Sequence, residues 1–378
     1  MTIESGSAAT QQLQRLEGFL AADPDNRHLL ADVIELALSL GLVARAAAAA
    51  DYAARVAAAG DVRLRTALGL TRLAQRRLAE AEAEFDDLLN LPAPPPEVVF
   101  LAAHAQFLQG RHEAALQRFA LAPTAADADP QARLVKARCL HQLGRMEEAL
   151  AEVEARLQQA PRDADALGLG AVLAYDLGQR ARAGDWAAQA LAQSPYNLAA
   201  LVTAGTLSLE RGELPLARQL LEQARLVRQD SGRVWLGLAI LNLQELRLAE
   251  ANAAIDYTVH LMPGHTGSWV ARGWCRLLAG DHAGAEASFA QAVERDHNFA
   301  EGHGGLAVLH AIAGQRTAAQ AALRRALGLD PACAAALYAQ ALLAGEVHDL
   351  RTLQRFALRM GRGLDLDSAA PPPGVSIH

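Results

Sequence analysis

Residues 164–197, ADALGLGAVLAYDLGQRARAGDWAAQALAQSPYN, and residues 198–231, LAALVTAGTLSLERGELPLARQLLEQARLVRQDS, are two copies of one 34-residue pattern. Each carries a glycine at its fifteenth position, Gly178 and Gly212. The same spacing reaches upstream to Gly110 and Gly144 and, after a missed beat at Leu246, downstream to Gly280 and Gly314. A period of 34 residues held over most of a chain is the mark of a helical solenoid, because each repeat is one supersecondary element that cannot bury its apolar face alone. The expected fold is all-α, and its expected product is a binding surface and not a catalytic pocket.

With the beat residue as position 15, the repeats close at Gly41, Arg76, Gly110, Gly144, Gly178, Gly212, Leu246, Gly280, Gly314 and His348. Glycine suits a chain that leaves its first helix, helix A, in a left-handed conformation. Arg76, Leu246 and His348 are expected to use another turn geometry at little cost. Position 20 is alanine in all nine complete repeats, Ala46, Ala81, Ala115, Ala149, Ala183, Ala217, Ala251, Ala285 and Ala319. Position 8 is Gly or Ala in all but the first repeat, which has Ile34, and position 24 is large in most, as in Phe85, Phe119, Leu221, Ile255 and Phe289. Helices that cross closely need small residues where their backbones approach, with large ones filling the space beside them. Pro24, Pro161, Pro195, Pro263 and Pro331 stand seventeen residues before a closing position and end each preceding helix B.

These positions, with Trp235 and Trp269 at position 4, resemble the tetratricopeptide repeat family over residues 27–348. The resemblance implies a right-handed α-solenoid of antiparallel helix pairs, about nine complete repeats plus caps, with a concave groove lined by the A helices. The implied organisation is a disordered stretch at 1–9, a partial-repeat helix at 10–26, the array at 27–348, a capping helix at 349–366 and a disordered Pro-rich tail at 367–378. Pro123 should end the third repeat early, with a modified turn through Ala125 to Pro130.

The chain of 378 residues is 52% hydrophobic but only 4% aromatic, with Lys136 its single lysine. Net charge −7 and a pI near 6.0 argue against a nucleic-acid footprint, which needs a basic stripe. The first residues hold no basic and apolar leader, and no run of 18 apolar residues occurs, so a cytoplasmic protein without membrane insertion is expected. Cys139, Cys275 and Cys333 match neither a disulfide framework nor a metal site and are read as packed thiols. The excess of Arg over Lys and the abundance of Ala suggest a GC-rich bacterial genome.

The resemblance places positions 2, 5, 9 and 12 of helix A in the groove, in agreement with their spacing on one helix face. In the early repeats these are polar: His28, Glu35, Arg63, Glu97, His104, Gln131, Arg138 and His141. In the later ones they are mostly apolar: Val202, Thr206, Leu209, Leu236, Ile240, Leu243, Val270, Trp274, Leu277, Val308, Tyr338 and Leu342. One reading makes this strip an exposed clasp for an amphipathic helix or extended peptide, with Trp274 as its anchor. The other has a tight superhelix burying it against neighbouring A helices. Trp235 and Trp269 are read as packing residues. The two-carboxylate clamp of some family members is not implied, because position 5 is never Lys and position 9 never Asn.

Seven of twelve histidines lie between His260 and His348, yet without a compact ligand motif, so no metal and no cofactor are expected. His303 replaces Trp at position 4, and His265 and His297 are turn residues. The glycines of Glu301-Gly302-His303-Gly304-Gly305 imply either that a partner backbone approaches there or that the helix starts late. No nucleophile, zinc or nucleotide constellation is visible, so no catalytic residues are assigned. The expected role is a non-catalytic protein-protein interaction scaffold or adaptor in a bacterial multiprotein assembly. Alternatives are a secretion-type chaperone holding an apolar client segment and, more remotely, a regulatory partner of a glycosyltransferase.

Overall fold

A computed structural model of the chain describes residues 2–58, 60–92, 94–121 and 130–346. Among the described residues there are twenty helices and no strand. Helix α1 is Thr2–Ala22. The A helices are α2 Arg27–Ser39, α4 Val62–Ala74, α6 Pro96–Leu108, α8 Pro130–Gln142, α10 Ala164–Asp176, α12 Leu198–Glu210, α14 Gly232–Gln244, α16 Thr266–Leu278, α18 Ala300–Ile312 and α20 Ala334–Ala344. The B helices are α3 Val43–Val56, α5 Leu78–Leu89, α7 His112–Leu121, α9 Met146–Gln159, α11 Arg180–Gln193, α13 Leu214–Val227, α15 Leu248–Leu261, α17 His282–Arg295 and α19 Arg316–Leu329. The chain forms two compact units, Met1–Leu177 and Gly178–His378. In each, consecutive helices pack as pairs.

Every A helix begins at position 1, and nine of the ten end at position 13. Several starts are held by side-chain caps: Asn26, Asp163, Asn197 and His265 each accept a backbone N–H from the first turn. Proline opens α6 and α8, where a missing N–H costs nothing. Helix α7 is described as far as Leu121, and Pro123, expected to end the third repeat early, lies outside the described residues. Of the modified turn expected at Ala125 to Pro130, only Pro130 is among the described residues. The leading helix was expected from Thr10 but runs from Thr2, since nothing in residues 2–9 except Gly6 opposes helix.

The turns correct one sequence expectation. The glycines at position 15 have φ between 70° and 79°, and Arg76 and Leu246 take the same left-handed conformation at 63° and 58°. Their bonding is the same as well. Gly41 N–H donates to Leu38 O and Leu42 N–H to Ala37 O, while Leu246 N–H donates to Leu243 O and Arg247 N–H to Asn242 O. Two carbonyls at each helix end are thereby satisfied, which outweighs the Cβ strain at the two non-glycine sites. A second correction concerns the last beat. Gly345, with φ 77°, closes α20 three residues before His348, which lies outside the described residues together with the expected capping helix and tail.

Packing follows the small and large alternation. All nine alanines at position 20 are completely buried. Position 8 faces position 24 of its own repeat: a Cβ built on Gly69 would lie 2.4 Å from Phe85, one on Gly205 2.9 Å from Leu221, and one on Gly273 2.4 Å from Phe289. The large side chain also reaches forward. A Cβ on Gly237 would lie 2.7 Å from Leu221 and one on Gly305 2.4 Å from Phe289, so each ring or branched chain wedges between successive A helices. This settles the glycine-rich start of α18. The helix begins on time at Ala300, and the approaching backbone is the chain's own, because a Cβ on Gly304 would meet Ala335 Cβ at 2.8 Å and Ala336 N at 3.1 Å.

Ion pairs recur at the junction of helices A and B. Arg65 at position 4 meets Glu84 at position 23, 3.0 Å apart, and Arg133 meets Glu152 at the same two positions, 3.1 Å apart. Arg72 and Lys136 join these same carboxylates. Partly exposed pairs of this kind contribute little stability, and their regular placement favours one register of helix B on helix A.

Candidate partner-binding face

In residues 27–177 the A helices bring the polar candidates to one side of each helix. Arg63, in the first turn of α4, donates to both carboxylate oxygens of Glu35 (2.9 and 2.6 Å) and to Asp32 (2.7 Å). These hydrogen bonds hold its guanidinium pKa well above the ordinary value. Glu97 is exposed in the first turn of α6, where a carboxylate complements the helix dipole, and His28 and Gln131 are exposed in the first turns of α2 and α8. His141 Nε2 lies 2.8 Å from Asp176. The expected polar groove is therefore a set of small groups, with Glu35 joined to Arg63, His104 within the field of Arg138, and His141 on Asp176.

The most ordered of these groups is aromatic. On α6, Phe100, His104 and Phe107 recur at i, i+4 and i+7 and stack side by side: Phe100 to His104 at 5.6 Å and 14°, His104 to Phe107 at 6.3 Å and 20°. His112, at the start of α7, extends the row with centroids 5.6 Å from Phe107. All three α6 rings are half-buried. Burial, and secondly the charge of Arg138 on α8, push the His104 pKa below its ordinary value, so the imidazole stays neutral further into the acid range. Phe100 and Phe107 occupy positions 5 and 12 and were missed as site residues, although their spacing with His104 is plain in the sequence.

In the later repeats the expectation of an exposed apolar strip is overturned. Val202, Leu209, Leu243, Val270, Trp274, Leu277, Val308 and Tyr338 are buried, and Thr206, Leu236, Ile240 and Leu342 are half-buried. Val270, Trp274, Leu277, Val308 and Tyr338 belong to one core cluster with Phe289, and Leu342 packs at its margin. Thr206 donates its hydroxyl to Val202 O on its own helix. Trp274, the expected anchor, is 3% exposed. Around Val308 and Tyr338 the cause lies in Gly304 of α18, which lets α20 approach, while Val202 and Leu209 are buried in the core around Leu221 and Leu243 in the one around Ile255.

The position-4 residues behave as packing residues. Trp235 Nε1 donates to Gln229 O (2.7 Å) and Trp269 Nε1 to Pro263 O (2.9 Å), and His303 Nε2 makes the equivalent bond to His297 O (3.0 Å). Each ties a helix to the turn six residues earlier. Among the described residues no three His, Cys, Asp or Glu side chains converge on a metal position, and no helix is long and apolar enough to cross a membrane. Cys139 and Cys275 are buried, which pushes both thiols up to about 12, and burial raises Cys333 too.

The family model for the anaphase-promoting complex, cyclosome, subunit 3, matches residues 74–156, from the end of α4 into α9. The Cut9 and Hcn1 hetero-tetramer of that complex superposes with TM-score 0.61 at 15% identity, covering 80% of this chain and 59% of that one. With the 34-residue helix pairs, these likenesses settle the architecture. The chain folds as a tetratricopeptide-repeat array. It spans less than two thirds of the Cut9-Hcn1 chain's length. An IFIT1 monomeric mutant with Gppp-AAAA aligns with TM-score 0.57 at 16% identity over 93% of this chain and 89% of that one. The human IFIT1 dimer with m7Gppp-AAAA gives 0.52 at 14% identity, over 92% and 94%. No curated protein sequence matches the array. Tetratricopeptide-type arrays in general mediate protein-protein interactions, and the fold is typically a non-catalytic scaffold.

Proposed function

We propose that this array is a non-catalytic interaction scaffold or adaptor that binds a helical or extended peptide segment on the A-helix face of residues 27–177. The observation that carries the reading is the half-buried ring row Phe100, His104 and Phe107, with Arg138 at the same repeat position on α8 as His104 has on α6, and with the polar groups of Glu35 with Arg63 and His141 with Asp176 on the flanking A helices. An apolar row with a polar rim suits peptide recognition. Protein is favoured over nucleic acid as partner by the net charge of −7, and Arg63 is already committed to two carboxylates. A cytoplasmic place in a bacterial multiprotein assembly fits the composition. The chaperone alternative loses its main support, because the apolar strip that would hold a client is occupied by the chain's own packing.

The test is affinity capture of partners by the full chain and by a His104→Ala, Arg138→Ala double variant, with thermal melts alongside. The reading expects partners to be lost by a variant that melts like the parent. An unchanged partner set in the folded double variant would remove this face from the function.

A further inference from the structure

We infer that the open side of the first helix pair, α1 with α2, docks an amphipathic helix of another protein, one with a Gly or Ala in its apolar stripe and a Lys or Arg beside it. That helix takes the place an A helix holds in every complete repeat.

The repeat itself identifies the occupant. Counting 34 residues back from Ala46, Ala50 and Ala53 gives Gln12, Leu16 and Phe19, so α1 is a B helix by register and these three share one face at i, i+4 and i+7. In the complete repeats that face is closed by the A helix of the same pair. Position 20 is completely buried in all nine, and position 27 is equally closed in Ala53, Leu88, Ala224 and Ala292. On α1 the same face is open: Gln12 is exposed, Leu16 is half-buried and Phe19 is 62% exposed. The opposite wall agrees. Position 10 of helix A is buried in repeats two to nine, from Thr71 to Leu309, whereas Leu36 on α2 is half-buried. Between the two walls runs a groove lined by Gln12, Leu16, Asp32, Glu35, Leu36 and Ser39. The rest of α1 is engaged as a B helix should be, with Leu13 in the core beside Leu30 and Ile34, and Glu17 paired with Arg45 of α3. Helix α1 also runs unbroken through Ser7, 34 residues before Gly41, so the turn that joins an A helix to its B helix in the repeats is replaced by helix here. This favours an occupant from a separate chain.

The walls define its chemistry. In complete pairs the A helix brings Gly or Ala against position 24, so closely that a Cβ on Gly69 would lie 2.4 Å from Phe85. Leu16 stands at position 24 and sets the same demand for a small residue. Phe19 replaces the alanine or leucine of other repeats and supplies an aromatic anchor. A helix that only ended the array would be polar on its outer face, and Phe19 with Leu16 departs from that. At the rim, Asp32 and Glu35 share the single guanidinium of Arg63, which leaves one negative charge to attract a Lys or Arg.

The experiment is display selection of helix-biased peptides of about 15 residues, four turns, on the full chain. Enriched peptides are expected to carry an apolar stripe at i, i+3, i+4 and i+7 with Gly or Ala at its centre and Lys or Arg at its edge. A synthetic selected peptide should bind Phe19→Glu at least about tenfold more weakly, with thermal melts of variant and parent alike. If Phe19→Glu fails to fold, Phe19→Ala takes its place, and Asp32→Asn should reduce the preference for Lys or Arg. No enrichment, peptides without a small residue in the stripe, or binding unchanged in the folded Phe19 variant would each overturn this proposal. So would self-association of the full chain in sedimentation that the Phe19 variant abolishes, which would make a second copy the occupant. Peptides lost by the His104→Ala, Arg138→Ala variant but kept by the Phe19 variant would also overturn it, while supporting the A-helix face of the proposed function.

Discussion

Trp274 meets Phe289 edge-on, with ring centroids 5.6 Å apart and planes at 75°. The pair joins positions 9 and 24 of one repeat, so a residue with groove numbering is part of the core. Trp274→Ala should therefore destabilise the array by about 3–5 kcal/mol. Trp269→Ala should cost less, because Trp269 is only half-buried at the margin of the core, held by a hydrogen bond to Pro263 O and by the guanidiniums of Arg272 and Arg295 over its ring. Urea melts of the two variants decide the order, and a Trp269 variant less stable than the Trp274 variant would contradict it.

Gly305 packs against the same Phe289 ring. A methyl group there would come within 2.4 Å of Phe289, which is fully buried and cannot swing away. Gly305→Ala should destabilise by roughly 1–3 kcal/mol through overpacking. Gly328, on α19, is exposed with nothing within 4 Å of an added Cβ. Gly328→Ala should raise stability by about 0.5–1 kcal/mol through helix propensity alone. Thermal melts of the two alanine variants should thus move in opposite directions.

Leu246 and Arg76 hold left-handed backbone with side chains that disfavour it. That conformation costs an L-residue about 1–2 kcal/mol, and glycine returns part of the gain as unfolded-state entropy, about 0.5–1 kcal/mol. Leu246→Gly and Arg76→Gly should each stabilise by roughly 0.5–1 kcal/mol, and Gly212→Ala should destabilise by about 1 kcal/mol. Lower denaturation midpoints for both glycine variants would mean that the two side chains contribute more than their strain costs.

The period, the turn positions and the small residues at positions 8 and 20 were legible because each answers to a local demand: a left-handed turn or a close helix crossing. Trp274, Val308 and Tyr338 were misread as exposed, since position 9 or position 5 is a groove position only while adjacent A helices stand apart. At Val308 and Tyr338 that approach is set by Gly304, which makes room for Ala335 and Ala336 and whose missing Cβ matters only in three dimensions. The α6 ring row failed for the opposite reason. His104 was selected for its polarity, and Phe100 and Phe107 were passed over although the helical spacing alone places them beside it.

His104 also leaves a mark on stability without any partner. Its pKa in the folded chain is lowered, chiefly by burial and then by Arg138, relative to an exposed histidine. Below the ordinary histidine range the unfolded chain binds a proton that the folded chain resists, so stability rises with pH across the interval between the two pKa values. The contribution of neutral His104 is thus fully present above the ordinary histidine value and is lost as pH falls through the lowered one. His104→Phe keeps a ring between Phe100 and Phe107 but removes the titration. Denaturation midpoints measured from about pH 7.5 down to about pH 5 should fall less steeply for His104→Phe than for the parent. His112, lowered by burial alone, should retain part of the slope in that variant. Parallel profiles for parent and variant would show that His104 titrates at its ordinary value, and would place Arg138 too far away to act on it.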